Sequence, residues 1–163
     1  MHFESIVKKI VSLDQLLPIV EKLKGQNKSV VFTNGCFDII HRGHIEYLAK
    51  ASDHGDLFVI GLNTDNSVRK LKGESRPVNS EEARAIVLAS IQFVDYVVLF
   101  EEETPYNLIQ AIKPNVLIKG GDYKPENIVG YDIVIKNGGR VETIPFVEGF
   151  STTSILHKIS TSK

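Results

Sequence analysis

The sequence has little of what marks several protein classes. It contains one cysteine in 163 residues, which excludes a disulfide framework or a cysteine-rich metal site within one chain. No apolar run reaches the roughly 20 residues that a membrane span needs, and the N-terminus lacks a signal-peptide core. The formal net charge is −1, so nothing indicates a nucleic-acid or membrane binder. These absences predict a cytoplasmic enzyme or binding protein, with residues 1–163 forming one domain.

Short apolar segments alternate with helical patterns along the chain. Strands are predicted at 29–33, 57–62, 94–100, 116–119 and 140–145. Helices are predicted at 12–24, 44–51, from Asn79 or Ser80, from Thr104-Pro105, at 126–137, and from Ser151. This alternation is typical of an α/β fold. We expect a Rossmann-like, doubly wound sheet of five mainly parallel strands, with helices on both faces.

Two of the helices carry predicted capping boxes. Ser12 and Gln15 have the right spacing for one, although Pro18 inside the same pattern favours a kink or a later helix start. Asn79 and Glu82 have the spacing for another. The second helix is expected to turn Ile86, Val87 and Ile91 inward.

Ligands of such sheets bind beyond the carboxyl ends of the strands. The segments that reach this edge are 34–44, 63–79, 101–104, 120–124 and 146–153. Neither G-x-G-x-x-G nor G-x-x-x-x-G-K-[ST] follows the first strand, which excludes the usual dinucleotide and phosphate-loop motifs. Instead His41 and His44, three positions apart around Gly43, stand at a helix entry. Imidazoles at a helix N-terminus suit a polyphosphate; a zinc pair is the alternative, without a third ligand at familiar spacing.

Two motifs carry a family resemblance. GCFDIIHRGH (35–44) resembles the G-x-F-D-x-x-H-x-G-H signature of the cytidylyltransferase-like nucleotidyltransferases, and EGFSTTSI (148–155) resembles their serine-threonine run at the last helix. VRKLKGESRPVN (68–79), FEEETP (100–105) and IKGGDYKPENIVG (118–130) are similar to the heptose-phosphate adenylyltransferases of lipopolysaccharide synthesis.

The resemblance implies an adenylyltransferase reaction. AMP would move from ATP, accompanied by Mg²⁺, to D-glycero-D-manno-heptose 1-phosphate, and pyrophosphate would be released. The partners would be these small molecules, with no nucleic acid or membrane, in a homodimer. No carboxylate cluster in the sequence indicates a protein cage for the metal.

The resemblance also assigns roles to individual residues. His41, His44 and Lys72 would be catalytic, with Lys70 as the alternative to Lys72 in a basic loop. The residues expected at the nucleotide are Thr33, Asn34, Gly35, Cys36, Phe37, Gly43, Lys119, Gly120, Gly121, Asp122, Glu148, Gly149, Ser151, Thr152 and Thr153. Those expected at the acceptor are Asp38, Asn63, Asp65, Arg76 and Arg84.

Several of these residues have a simpler explanation. Asp38 is also a common turn former, Arg84 could form a surface salt bridge with Glu81, and Ser151 alone is a plain helix cap.

Two other functions stay open on the sequence. One is a cytidylyltransferase acting on glycerol 3-phosphate or another sugar phosphate. Phe146 argues against that branch, because its members usually carry a basic residue there. The other is a nucleotide-binding regulatory module without catalysis.

Overall fold

The computed structural model describes residues 1–161. Five parallel strands form one sheet in the order β3-β2-β1-β4-β5. The strands are β1 (Val30–Gly35), β2 (Leu57–Asn63), β3 (Tyr96–Phe100), β4 (Val116–Gly120) and β5 (Arg140–Ile144). The predicted fold class is confirmed. Because β1 lies between β2 and β4, the switch point of the topology falls between β1 and β4.

Eight α-helices surround the sheet within residues 1–161. They are α1 (His2–Val7), α2 (Leu13–Gly25), α3 (Arg42–Ser52), α4 (Asp65–Lys72), α5 (Glu81–Ala89), α6 (Tyr106–Ile112), α7 (Tyr131–Lys136) and α8 (Thr152–Thr161). A 3₁₀ turn covers Pro125–Asn127. None of the helices in this range is long and apolar enough to cross a bilayer.

Prediction and structure differ in three stretches of the chain. Helix α1 was not predicted. Helix α4 occupies the first half of what was predicted as a loop, because its polar sequence buries only Ser67 and Val68 and so gives little apolar periodicity. The predicted helix at 126–137 is divided by Gly130, whose φ of 89° is left-handed.

One of the two predicted capping boxes is present and the other is not. The Ser12–Gln15 box is present in both directions, and α2 continues through Pro18 to Gly25. The Asn79–Glu82 box is wrong, since Ser80 is the N-cap and accepts from the Ala83 N–H at 3.3 Å. Val87 is exposed rather than inward, and α5 buries Arg84, Ala85, Leu88 and Ala89 instead.

Each face of the sheet has its own apolar core. Alternation along β1 sends Val30 and Phe32 to one side and Val31 to the other. The first core takes residues from α2, α6 and α7, and the second takes residues from α3 and α5. Helices on both faces leave the strand ends as the accessible edge of the sheet.

The two central strands separate at that edge. β1 and β4 pair only at Val31–Val116 and Phe32–Leu117, although both strands continue further. Tyr47 of α3 occupies the gap. Its hydroxyl lies 2.6 Å from Thr33 Oγ1 and donates to the Ile118 carbonyl at 3.4 Å. The side chain of Tyr47 therefore joins the strands where their backbones do not.

Arg84 connects the loops around the gap between β1 and β4 through hydrogen bonds. Its guanidinium donates to the Asn79 carbonyl at 3.0 Å, the Cys36 carbonyl at 2.6 Å and Asp65 Oδ1 at 2.8 Å. The side chain is 1% exposed, so the predicted surface salt bridge with Glu81 is wrong. With three protein acceptors, this guanidinium holds the loop after β1 against α4 and α5 rather than reaching outward.

We expect Arg84→Met to lower the free energy of unfolding by roughly 3 kcal/mol, because it leaves the Asp65 carboxylate and two carbonyls without their donor. Arg42→Met is the matched control, since Arg42 pairs with Glu46 on the exposed surface of α3 and such pairs contribute less than about 1 kcal/mol. Urea unfolding measures both. Equal losses of unfolding free energy in the two variants would contradict a stabilising role for the three hydrogen bonds of Arg84.

Candidate functional site

His41 and His44 stack at the start of α3. His41 is the N-cap, and the His44 N–H donates to its carbonyl at 2.9 Å. The imidazole centroids are 3.9 Å apart with an interplanar angle of 27°. No side chain caps α3, so its first N–H groups and positive dipole end are available to an anion beside the two rings. The His41 Nδ1 atom is buried without a hydrogen-bond partner within residues 1–161.

The loop before α3 sets the position of His44. Phe37 has a left-handed φ of 44°, which folds its ring back to lie edge-on to His44 at 5.5 Å between centroids. A Cβ at residue 35 would stand 2.9 Å from the Phe37 ring. Gly35 is therefore required by the packing of Phe37.

Gly43 serves packing as well as access. A Cβ there would stand 3.1 Å from the His41 ring and 3.2 Å from the Phe150 Cβ. The Phe150 ring in turn lies under the Arg42 guanidinium, 5.3 Å from the ring centroid. The glycine thus lets the segment before α8 approach the histidine pair.

The environment keeps the histidines neutral. Burial lowers the pKa of His41. Burial also lowers the pKa of His44 to about 4, assisted by the charges of His41 and Lys72 and opposed by the backbone of Ile39. At pH 7 the free protein therefore presents neutral imidazoles, which donate through N–H, next to the Lys72 side chain.

The start of α8 faces the histidines with hydroxyl groups. Ser151 Oγ accepts from the Ser154 N–H at 3.0 Å and so acts as the N-cap. Thr152 and Thr153 line the same cavity as His41 and His44. Their hydroxyls make no hydrogen bond within the described residues, so they are free to bind a ligand.

Lys72 stands at the junction of three cavities. The histidine cavity has about 390 Å³, the bridging cavity about 180 Å³ and the outer cavity about 610 Å³. Lys72 lines all three, while Lys70 lines none of them. Two positions apart on a helix are about 200° apart around its axis, so the two lysines point in different directions.

The three expected catalytic residues and most of the expected nucleotide residues meet around these cavities. Those that line at least one are Asn34, Gly35, Cys36, Phe37, His41, Gly43, His44, Lys72, Lys119, Gly120, Ser151, Thr152 and Thr153. The Lys119 ammonium donates to Asn34 Oδ1 at 3.3 Å across the switch point. Burial lowers the pKa of Lys119.

Other expected nucleotide residues lie elsewhere. Thr33 is fully buried and bonded to Tyr47, so its side chain cannot line a cavity. Asp122, Glu148 and Gly149 do not line any of the three. Gly121 has a left-handed φ of 111°, and a Cβ there would stand 3.0 Å from the Phe146 ring.

The expected acceptor residues are mostly bound to the protein itself. Asp38 accepts from the Val78 and Asn79 N–H groups and from Arg76 Nε. Although burial acts to raise the pKa of Asp38, these donors leave it below its ordinary value. Asn63 is buried and donates to Ser67 Oγ at 2.9 Å. Asp38 thus binds the segment before α5, and it also lines the bridging cavity, as Asn63 lines the outer one. Asp65 and Arg84 pair with each other.

Arg76 keeps a free donor. Its Nε binds Asp38 at 2.6 Å, while Nη2 is buried without a partner among residues 1–161. Arg76 lines the bridging cavity with His44 and Lys72. An anion placed there would find this nitrogen available.

Sequence reasoning missed the aromatic and loop residues of the site. Phe146 was noted only for the charge it lacks, yet its ring covers Gly120, where a Cβ would stand 2.7 Å away. Glu103, Tyr123 and Asn127 line the outer cavity. Glu103 and Tyr123 fall within segments 101–104 and 120–124, which the strand-end rule indicated, but neither was named as a site residue. Asn127 lies beyond both segments.

No group of three or more His, Cys, Asp or Glu side chains in the described part of the chain is placed to hold a metal ion. Within residues 1–161, no third Cys, Asp or Glu ligand accompanies the histidine pair to complete a zinc site. The donors around the pair are instead hydroxyls, backbone N–H groups and an ammonium group, which suit an anion.

The low pKa of His44 predicts a pH-dependent stability. The folded state disfavours the proton that the unfolded chain accepts near pH 6.5, so this contribution is complete above pH 6.5 and is lost as the pH falls toward 4. We expect the stability of the wild type to fall more steeply between pH 7 and 5 than that of His44→Gln. Urea unfolding at both pH values measures this. A stability difference between the two proteins that does not change with pH would contradict it.

Comparison with known proteins identifies relatives over nearly the whole chain. The bifunctional protein HldE of Geobacter metallireducens is 56% identical over 151 residues, which are 93% of this chain and 31% of the relative. HldE of Campylobacter jejuni subsp. jejuni serotype O:2 is 56% identical over 156 residues, 96% of this chain and 32% of the relative. The chain thus spans about a third of the length of the curated relatives it matches.

Solved structures agree with the fold. The lipopolysaccharide core biosynthesis protein of Thermoplasma volcanium GSS1 has a TM-score of 0.60 and 27% identity, covering 74% of this chain and 97% of that one. A pantoate-beta-alanine ligase of Francisella tularensis also has a TM-score of 0.60, at 17% identity, covering 90% and 75%. The second likeness is one of fold alone.

The resemblance seen in the two sequence motifs is confirmed. The profile of the cytidylyltransferase-like family matches residues 32–163, a range that includes the histidine pair, Lys72 and the hydroxyls of α8. This protein belongs to the cytidylyltransferase-like family.

Proposed function

We propose that this chain transfers AMP from ATP to D-glycero-D-manno-heptose 1-phosphate and releases pyrophosphate. The observation that carries the proposal is the facing of two helix N-termini across one cavity, with the histidine pair on α3, the threonine hydroxyls on α8 and Lys72 beside them. Segments 68–79 and 118–130, which resemble heptose-phosphate adenylyltransferases, supply the choice of acceptor. The likeness to a solved lipopolysaccharide core biosynthesis protein favours the same pathway.

The reaction is a direct displacement at the α-phosphorus. An oxygen of the acceptor phosphate forms a bond to that phosphorus, and the bond to the bridging oxygen of the β-phosphate breaks, so pyrophosphate leaves. Catalysis then consists of positioning and charge stabilisation. His41, His44 and the N-terminus of α8 would hold the β- and γ-phosphates, which become the leaving group.

Lys72 and the free Nη2 of Arg76 would stabilise the charge at the reacting phosphates. Both line the bridging cavity next to His44. The charge of Lys72 acts on His44 and helps to lower its pKa, so a cation stands beside the imidazole pair where phosphate charge would develop.

Mg²⁺ would come with the nucleotide. The described residues provide no carboxylate cage for it, and Mg²⁺ commonly binds phosphate oxygens while keeping several waters. Its contribution is to neutralise phosphate charge.

Two further expectations belong to the proposal. A cytoplasmic location and a homodimer remain predictions from the sequence and the family resemblance.

A matrix of substrates tests the proposed function. Pyrophosphate release is measured with ATP, GTP, CTP or UTP, each paired with D-glycero-D-manno-heptose 1-phosphate or with glycerol 3-phosphate, in the presence of Mg²⁺. We expect ATP with the heptose phosphate to give the highest kcat/KM. CTP with glycerol 3-phosphate as the better pair would replace the proposal with its alternative, and ATP binding without turnover on any acceptor would favour a regulatory module.

Lys72→Ala and Lys70→Ala form a matched pair on one helix. Because only Lys72 lines the cavities, we expect Lys72→Ala to lower kcat by roughly 10²–10³, as for a lost transition-state donor. Lys70→Ala should stay within about twofold of the wild type. Steady-state kinetics with saturating substrates measure both, and the opposite order of effects would transfer the catalytic role to Lys70.

A further inference from the structure

The outer cavity lies where the loops after β3 and β4 meet the end of α4. It shares five residues with the bridging cavity: Asn34, Gly35, Cys36, Lys72 and Lys119. Asn63, one of the expected acceptor residues, also lines it. None of the residues of the histidine pair or of α8 lines it. Its volume of about 610 Å³ falls in the range of small-molecule sites.

The geometry of phosphoryl transfer relates this cavity to the acceptor. The attacking and leaving oxygens stand roughly in line on opposite sides of the phosphorus. If the leaving pyrophosphate is held by α3 and α8 in the histidine cavity, the attacking group must approach from the other side of the bridging cavity. The outer cavity adjoins the bridging cavity at Lys72 and Lys119 and is lined by neither histidine.

Charge within the outer cavity is unevenly distributed. Lys72 and Lys119 lie at the end shared with the bridging cavity, whereas Glu103, Thr104 and Asn127 line the outer cavity alone. A phosphate is attracted to the lysines and repelled by the Glu103 carboxylate, which fixes the direction in which a phosphorylated molecule enters.

Glu103 is the one member of an acidic run that faces this cavity. Glu101 accepts from Asn66 at 2.7 Å and Glu102 from Asn107 at 3.5 Å. Within residues 1–161, the Glu103 carboxylate has no such partner. An ionised carboxylate accepts up to four hydrogen bonds, so it suits a ligand with several neighbouring hydroxyl groups.

We propose that the outer cavity binds the acceptor as a sugar phosphate, with its phosphate at Lys72 and Lys119 and its hydroxyls on Glu103 and Asn127. Glu103 is then a specificity-determining residue for a polyol. This inference rests on the proposed function and extends it, because it names the subsite and the group that distinguish a sugar phosphate from a short acceptor. Leu71, Pro105 and Val129 give the same cavity an apolar wall against the carbon skeleton.

Glu103→Ala tests the inference, with Glu102→Ala as the matched control. Glu102 is adjacent and chemically identical, and it does not line the cavity. We expect Glu103→Ala to lower kcat/KM for D-glycero-D-manno-heptose 1-phosphate roughly 10- to 100-fold, the cost of losing hydrogen bonds to a charged group. The KM for ATP, the activity of Glu102→Ala and the thermal unfolding midpoint should stay close to wild-type values.

Three results would contradict the inference. If the wild type turns over the sugar phosphate and Glu103→Ala has the same kcat/KM, Glu103 does not determine specificity, and the proposed function still stands. A rise in the KM for ATP alone would assign the cavity to the nucleotide instead. A wild-type protein that releases no pyrophosphate with any sugar phosphate would overturn the proposed function, and this inference with it.

Discussion

The hydroxyl of Tyr47 joins two strands at the point where their backbones stop pairing. It contacts Thr33 on β1 and the Ile118 carbonyl on β4, and burial raises its pKa to about 12, so it stays protonated and able to donate. A gap between parallel strands exposes backbone polar groups, which are costly to leave unpaired. Because Tyr47 belongs to α3, closing this gap also fixes the helix whose first turn carries both histidines.

The loops around the gap depend on buried polar contacts of the same kind. Arg84 holds the loop after β1 through the Cys36 carbonyl, and Asp38 ties that loop to the segment before α5 through the Val78 and Asn79 N–H groups. These side chains satisfy protein groups rather than a ligand. They leave Lys72, Arg76 and the histidine pair around the open space, where three cavities meet. The loops that carry the site are therefore held by buried contacts, while its cavity-lining side chains stay accessible. This arrangement suits a reaction that relies on positioning.

The electrostatics of the site follow from its burial. Burial lowers the pKa of both imidazoles, and for His44 the charges of His41 and Lys72 add to the effect of burial. The free site thus has hydrogen-bond donors with limited positive charge. A polyphosphate there would meet imidazole N–H groups, two helix N-termini and the side chain of Lys72.

The sequence alone is enough to predict the fold class and the centre of the site. Apolar strands alternating with helices predict a parallel sheet, and a pair of histidines at a helix entry is a local pattern that needs no knowledge of distant contacts. It could not show that Arg84 and Asp38 are occupied by carbonyl and N–H groups up to 48 residues away. Nor could it reveal α4, whose polar sequence gives little periodicity. It also could not reveal the outer cavity, whose lining residues come from five separate parts of the chain, within 34–36, 63, 71–72, 103–105 and 119–129. These features require the folded chain, because long-range packing determines which polar side chains are satisfied by the protein and which are left for a ligand.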